Sequence, residues 1–236
     1  MGFFDFLDET QDHKYAEANI ARLNARFEMI VEPYRRDLED ARVLDLASHD
    51  GRWAYALSGA GAREVVGIEG RQDLIDQFES SYPRGEIADR VHLQQGDIFE
   101  TLPTMVERGE RFDVVAVFGI FYHIMEHYRL LKLIKHVGAR LAVIDSEFII
   151  REGPFIRIGE EETSKELNSI PHEQGQDRAP VGVPSREAVE RMADTLGYDT
   201  AWTDWSARRA DQRRGLRDYY RTDHWKRRGT CALRLR

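Results

Sequence analysis

Residues 43–51 read Val-Leu-Asp-Leu-Ala-Ser-His-Asp-Gly. The apolar run Val43–Leu46 predicts a buried strand, Ala47–Gly51 a tight turn, and Arg52–Leu57 the start of a helix. A strand–turn–helix of this kind aims backbone N–H groups into a crevice at the carboxyl end of the strand. A second apolar run, Val65-Val66-Gly67-Ile68-Glu69, ends on an acidic residue 24 positions after Asp45. A carboxylate at that strand end is placed to accept both hydroxyls of a ribose. The pair implies an adenosine-bearing cofactor.

The turn separates the candidates. A pyrophosphate needs glycines so that the backbone can approach it closely. Set against Asp-x-Gly-x-Gly-x-Gly, this chain has Ala47 and His49 at the first two glycine positions and keeps only Gly51. A histidine where a pyrophosphate would lie argues against NAD and FAD. Two acidic residues, Asp45 and Asp50, suit a cofactor with sulfonium and ammonium charges, as in S-adenosylmethionine (SAM).

Further along, Val91–Ile98 reads as a strand ending in Gly96-Asp97-Ile98. Two more apolar runs follow, Phe112–Phe118 leading into Gly119-Ile120-Phe121-Tyr122-His123, and Arg140–Ser146. In this order and spacing the chain resembles the class I SAM-dependent methyltransferases over roughly residues 41–150, departing at two glycines. The strand end Tyr122-His123 is similar to a Tyr-His subgroup that includes tRNA uridine-modifying enzymes and natural-product methyltransferases.

The resemblance implies an α/β fold. It would have a Rossmann-like, doubly wound sheet of about seven strands with the last pair antiparallel. An N-terminal helix and an insertion after strand five would complete it. It assigns the cofactor SAM to Asp45, Ala47, Ser48, His49, Gly51, Glu69, Gly70, Asp97, Ile98 and Phe118. Glu69 would hold the ribose, Asp97 and the Ile98 backbone the adenine, and Asp45 the methionyl ammonium. It implies methyl transfer, a chemistry that asks for alignment and at most a base. His123, just beyond strand four, is the expected base or acceptor-orienting group, with Tyr122 beside it; a structural cap is the alternative for His123. His172 is a second base candidate. Asp145 and Glu147 close strand five and could bind an acceptor amine or a metal, although no metal-ligand pattern is evident and none is expected.

The remaining segments read as follows. Ile20, Leu23, Phe27, Ile30 and Tyr34 recur at helical spacing and predict a helix from about His13 to Arg36. Residues 1–40 then form a helical lid or edge element, and 41–236 the methyltransferase domain. Helices are expected from Arg71 to about Tyr82 and from about Ile124 to Val137. Residues 151–183 are rich in Gly and Pro and read as an irregular, acceptor-side insertion. Ser185 predicts an N-cap and Gly197 a C′ glycine around one more helix. Thr200–Trp205 and Gly229–Leu235 read as the last strands.

The 236 residues, 42% of them hydrophobic, suffice for one well-packed domain. No run approaches the roughly 18 apolar residues of a membrane span. The start lacks a basic n-region, so neither a signal peptide nor a membrane partner is expected. The single Cys231 allows no internal disulfide and suits a cytoplasmic location. The formal charge of −8 is uneven: residues 201–236 carry a local net of +7, leaving −15 for the rest. An acidic body favours a small-molecule O or N acceptor over a tRNA nucleoside, though the basic tail keeps RNA open. A non-catalytic SAM-binding module is a third reading, and a homodimer is also open.

Overall fold

The computed structural model describes residues 2–8, 17–165 and 167–236. Seven strands form one sheet in the order β3-β2-β1-β4-β5-β9-β8. They are β1 (Arg42–Leu46), β2 (Glu64–Glu69), β3 (Val91–Gln95), β4 (Val114–Phe118), β5 (Leu141–Ile149), β8 (Tyr198–Trp202) and β9 (Lys226–Leu235). The first five run parallel, and β9 lies antiparallel between β5 and β8. This is the expected sheet with its antiparallel last pair.

The apolar runs are buried on both faces, as a parallel sheet requires. Alternation of the pleat sends Val43, Val65, Val114 and Val143 into one cluster with the helices Glu17–Ile30 (α1) and Arg52–Gly59. It sends Leu44, Val66, Val115 and Ile144 into another, beneath the helices Ile98–Glu107, His127–His136 and Arg186–Thr195. Each such aliphatic side chain removed from water contributes about 1.5–3 kcal/mol. The N-terminal phenylalanines join the first cluster: Phe3 stacks on Phe27 at 4.6 Å and Phe4 meets Trp53 edge-on at 5.5 Å.

Several boundaries differ from expectation. The N-terminal helix is α-helical over Glu17–Ile30 and passes into a 3-10 turn at Glu32–Tyr34, where Pro33 has no N–H to continue the ladder. Its expected start at His13 lies outside the described residues. The helix expected from Arg71 is split into Gln72–Asp76 and Phe78–Ser81, and the next begins at His127 rather than Ile124. Strand five continues to Ile149.

The largest difference is the insertion, which is ordered. Strands β6 (Ile156–Glu162) and β7 (Arg178–Pro184) pair antiparallel in a separate two-stranded sheet, and the segment between them folds back over the carboxyl end of the main sheet. The Ser185 cap and Gly197 stand as read: Ser185 Oγ accepts from Ala188 N, and Gly197 has φ +85°. Among the described residues no helix is long and apolar enough to cross a membrane.

Candidate active site

The turn after β1 keeps the backbone of a glycine-rich loop although two of its glycines are missing. Ala47, His49 and Gly51 have φ of 56°, 54° and 77°, so all three positions are left-handed. For a non-glycine residue that conformation costs about 1–2 kcal/mol. Two contacts hold it: Ser48 N donates to Ile68 O at 3.0 Å, and His49 N to Glu69 Oε2 at 2.9 Å. Gly67 permits the close approach, because a Cβ there would lie 2.4 Å from Leu93 and 2.8 Å from Ser48 Oγ.

Glu69 is thereby fixed at the tip of β2. Its Oε1 accepts from Arg71 N at 3.0 Å, so each carboxylate oxygen takes one backbone N–H and keeps a lone pair. Glu69 lines a cavity of about 260 Å³ together with Ala47, His49, Gly70, Asp97, Ile98, Phe118, Tyr122 and His123. Nine of the twelve expected residues therefore converge on one space. Asp97 also caps the following helix, accepting from Phe99 N at 2.7 Å with one oxygen. Phe118 is braced edge-on by Trp53 at 5.6 Å.

Asp45, Ser48 and Gly51 lie behind the turn and off the cavity wall. Asp45 is buried, with Oδ2 unpartnered, and burial followed by the nearby Glu69 charge pushes its carboxyl well above the usual range. Burial thus disfavours the charged form of the carboxyl that the sequence reading set beside the methionyl ammonium. Asp50 is the reverse case. Burial opposes its ionisation, but His49 and the bidentate Arg52 pair, at 2.7 Å on each oxygen, outweigh burial and hold it far below that range.

At the end of β4 the chain turns at Gly119, with φ 104°, and presents Tyr122 and His123 to the cavity. The ring of His123 is paired: Nδ1 lies 2.6 Å from Glu161 Oε2, on β6. Ser169 seals the pair, its N–H donating to the same carboxylate oxygen at 3.1 Å and its Oγ to His123 O at 2.6 Å. Burial would raise the Glu161 carboxyl, but the His123 and Ser169 bonds hold it below the usual range. In the tautomer whose Nδ1–H donates to the ionised Glu161, Nε2 carries the lone pair of the ring. Tyr122 packs against the imidazole with ring centres 3.9 Å apart, and burial raises its phenol, which stays protonated. Sequence reading missed Glu161 and the wall formed by Leu167–Ile170; His172 does reach the cavity.

A second cavity, of about 500 Å³, shares Ala47, His49, Phe118 and Leu167 with the first and is walled by Arg22, Arg26 and Arg52. Arg26 lies over Trp53 at 4.5 Å, donates Nε to Tyr219 Oη at 3.0 Å and Nη2 to Asp145 at 2.6 Å. Asp145 is fully buried and also accepts from Arg228 Nε at 2.9 Å, Tyr219 Oη at 2.9 Å and Thr230 Oγ1 at 2.7 Å. Burial alone would raise its carboxyl, but Arg228 and Arg26 pull it down to about 2. Glu147 pairs with Arg221 and Lys226. Both acids are buried against cations and neither lines the two cavities, unlike the open acids that the sequence suggested. Among the described residues no group of His, Cys, Asp and Glu could hold a metal ion.

The basic tail is folded onto acidic partners. Arg208 meets Glu28 and Arg214 meets Glu17, each at 2.6 Å, while Arg234 reaches Asp37 at 2.8 Å.

Comparison with known proteins agrees with this geometry. Residues 43–142 match a family model described as a methyltransferase domain. Ribosomal RNA large subunit methyltransferase I of Salmonella arizonae is 32% identical over 84 residues, which is 35% of this chain and 21% of that protein. The Cronobacter sakazakii protein of the same name is 29% identical over 84 residues, with the same coverage. The chain thus spans about a fifth of these relatives' length. The N-terminal domain of EvdMO1 with SAH bound superposes with a TM-score of 0.61 at 21% identity, covering 93% of this chain and 81% of that one. The glycopeptide N-methyltransferase MtfA complexed with sinefungin gives 0.53 at 15% identity, covering 95% and 96%. A methyltransferase-domain model thus matches residues 43–142, and the chain has the Rossmann-like fold of the class I SAM-dependent methyltransferases, as its motifs implied.

Proposed function

We propose that this chain transfers a methyl group from SAM to an oxygen or nitrogen of a small-molecule acceptor, with His123 as the base. The observation that carries the reading is the His123–Glu161 pair, at 2.6 Å, on the wall of the cavity that Glu69 and Asp97 also line. The residues fit the cofactor. Glu69 has two lone pairs for ribose hydroxyls, and Asp97 has an oxygen beyond its capping bond for the adenine amine. Arg26 Nη1 takes no part in the bonds to Tyr219 and Asp145 and would meet the methionyl carboxylate.

When bound, SAM supplies a methyl group already activated by its sulfonium. The protein must then align the acceptor and take its proton. Nε2 of His123 would accept the proton of the acceptor, and Glu161 would stabilise the resulting imidazolium. Tyr122, kept protonated by burial, has a hydroxyl to donate to the acceptor.

A small hydroxylated acceptor is further supported by the EvdMO1 domain, which was crystallised in the presence of SAH and D-fucose. An RNA acceptor has less support. The likeness to the ribosomal RNA enzymes covers only 84 residues, and the tail arginines are engaged with Glu17, Glu28 and Asp37. The His123–Glu161 pair argues against a purely non-catalytic module.

The test is methyl-labelled SAM incubated with separate pools of hydroxylated metabolites, amines and RNA. Label is expected in a small-molecule pool. His123→Ala should lower turnover by about 10²–10⁴-fold while SAH affinity and melting temperature stay close to wild type. Label found in RNA alone refutes the acceptor class, and turnover retained within a few-fold refutes the base.

A further inference from the structure

The segment Leu167–His172 lies between the strands of the insertion and forms a wall of the cavity opposite the sheet edge. It is tied at two places. On the Glu69 side the Arg71 guanidinium donates to three of its neighbouring carbonyls, Lys165 O at 3.1 Å and Thr163 O and Asn168 O at 3.3 Å. On the His123 side Ser169 bonds to His123 O and Glu161. Between the two ties, Ile170 rests on Gly70, where even a Cβ would come within 2.9 Å of its Cδ1.

We propose that this segment is part of the cofactor site, a roof over the nucleoside, and that Arg71 is the positioning residue that seats it. The inference rests on the assignment of this cavity to SAM. Arg71 joins the two sides of the site: its backbone N–H orients the Glu69 carboxylate, and its side chain holds the roof above it. A planar guanidinium spans three carbonyls at fixed angles, which a lysine ammonium on a flexible stem does not reproduce. A nucleoside held between Glu69 and Ile170 leaves only when these bonds open, so the Arg71 contacts govern the dissociation rate.

The experiment measures SAH association and dissociation by stopped-flow fluorescence on the full chain. The variants are Arg71→Ala, Arg71→Lys and Ile170→Ala. Arg71→Ala keeps the backbone bond to Glu69 and removes only the roof ties. Loss of three carbonyl bonds is expected to speed SAH dissociation about 10–100-fold, with association unchanged or faster. Arg71→Lys should fall between wild type and Arg71→Ala. Ile170→Ala should also speed dissociation, and it keeps the test decisive if an Arg71 variant folds poorly. Dissociation unchanged in Arg71→Ala and Ile170→Ala overturns the roof while leaving the cofactor assignment intact. Wild-type protein that binds no SAH overturns the assignment itself, and the roof with it.

Discussion

Asp145→Asn tests whether the buried hub holds the N-terminal helix and the C-terminal strand to the sheet. The carboxylate gathers Arg26 from α1, Arg228 and Thr230 from β9, and Tyr219 from the segment before it. Its carboxyl ionises at about 2 in the fold against 3.8 for the free group. A folded value below the unfolded one means that ionisation stabilises the fold. At one pH unit per 1.36 kcal/mol this contributes about 2 kcal/mol. That contribution is complete above about pH 4 and is lost as the pH falls toward 2. Asparagine removes the charge and leaves two buried guanidinium groups without it. Breaking a buried pair in this way costs about 3–5 kcal/mol. For a domain of this size that corresponds to a melting-temperature drop of roughly 6–20 °C. Urea unfolding followed by circular dichroism, on both proteins from pH 7 to pH 2.5, measures it. The gap between wild type and variant should be widest near neutrality and should narrow by about 2 kcal/mol in acid. A variant within 1 kcal/mol of wild type at pH 7, or a gap that does not narrow, refutes the hub.

Glu69→Gln should weaken SAH binding about 10–100-fold in calorimetry, the scale of losing charge-assisted hydrogen bonds; unchanged affinity places the ribose elsewhere. Ala47→Gly should leave the melting temperature unchanged or raise it, because φ 56° is a glycine conformation. A loss above about 1 kcal/mol would show that the turn carries no strain. Replacing Arg213, Arg214 and Arg217 with alanine should leave methyl transfer to a small acceptor unchanged. Filter binding of tRNA to wild type should show no steep salt dependence, and a log–log slope beyond about −4 would restore RNA as the acceptor.

What could be read from the sequence follows from how locally each feature is encoded. The sheet was legible because each parallel strand is a short apolar run flanked by turn residues, and its position is set by chain order. Glu69 and Asp97 were legible because strand ends fix where their side chains go. The hairpin was hidden by its own composition: Pro180 and Pro184 sit in β7 opposite Glu160 and Ile156, positions that an edge strand tolerates. Asp145 was misread as an open acid, since nothing beside it in sequence announces Arg26 or Arg228. Glu161 was missed for the same reason, being 38 residues from the histidine it orients.

The turn after β1 shows a subtler limit. Loss of two glycines was read as loss of a pyrophosphate site, an inference about how closely the backbone can approach a ligand. The backbone conformation is nevertheless one that suits glycine: Ala47 and His49 hold left-handed angles. The difference from a glycine loop lies in what stands on it. A methyl group and an imidazole now project where glycine would leave space, and both line the junction between the two cavities. Strain of this kind persists only where surrounding contacts over-determine it. Here the contacts are the bonds from Ser48 N to β2 and from His49 N to Glu69. The second of these is also the bond that orients the candidate ribose ligand. The conformation of the turn and the placement of Glu69 are therefore one interaction, and a chain that relaxed the turn would release the carboxylate as well.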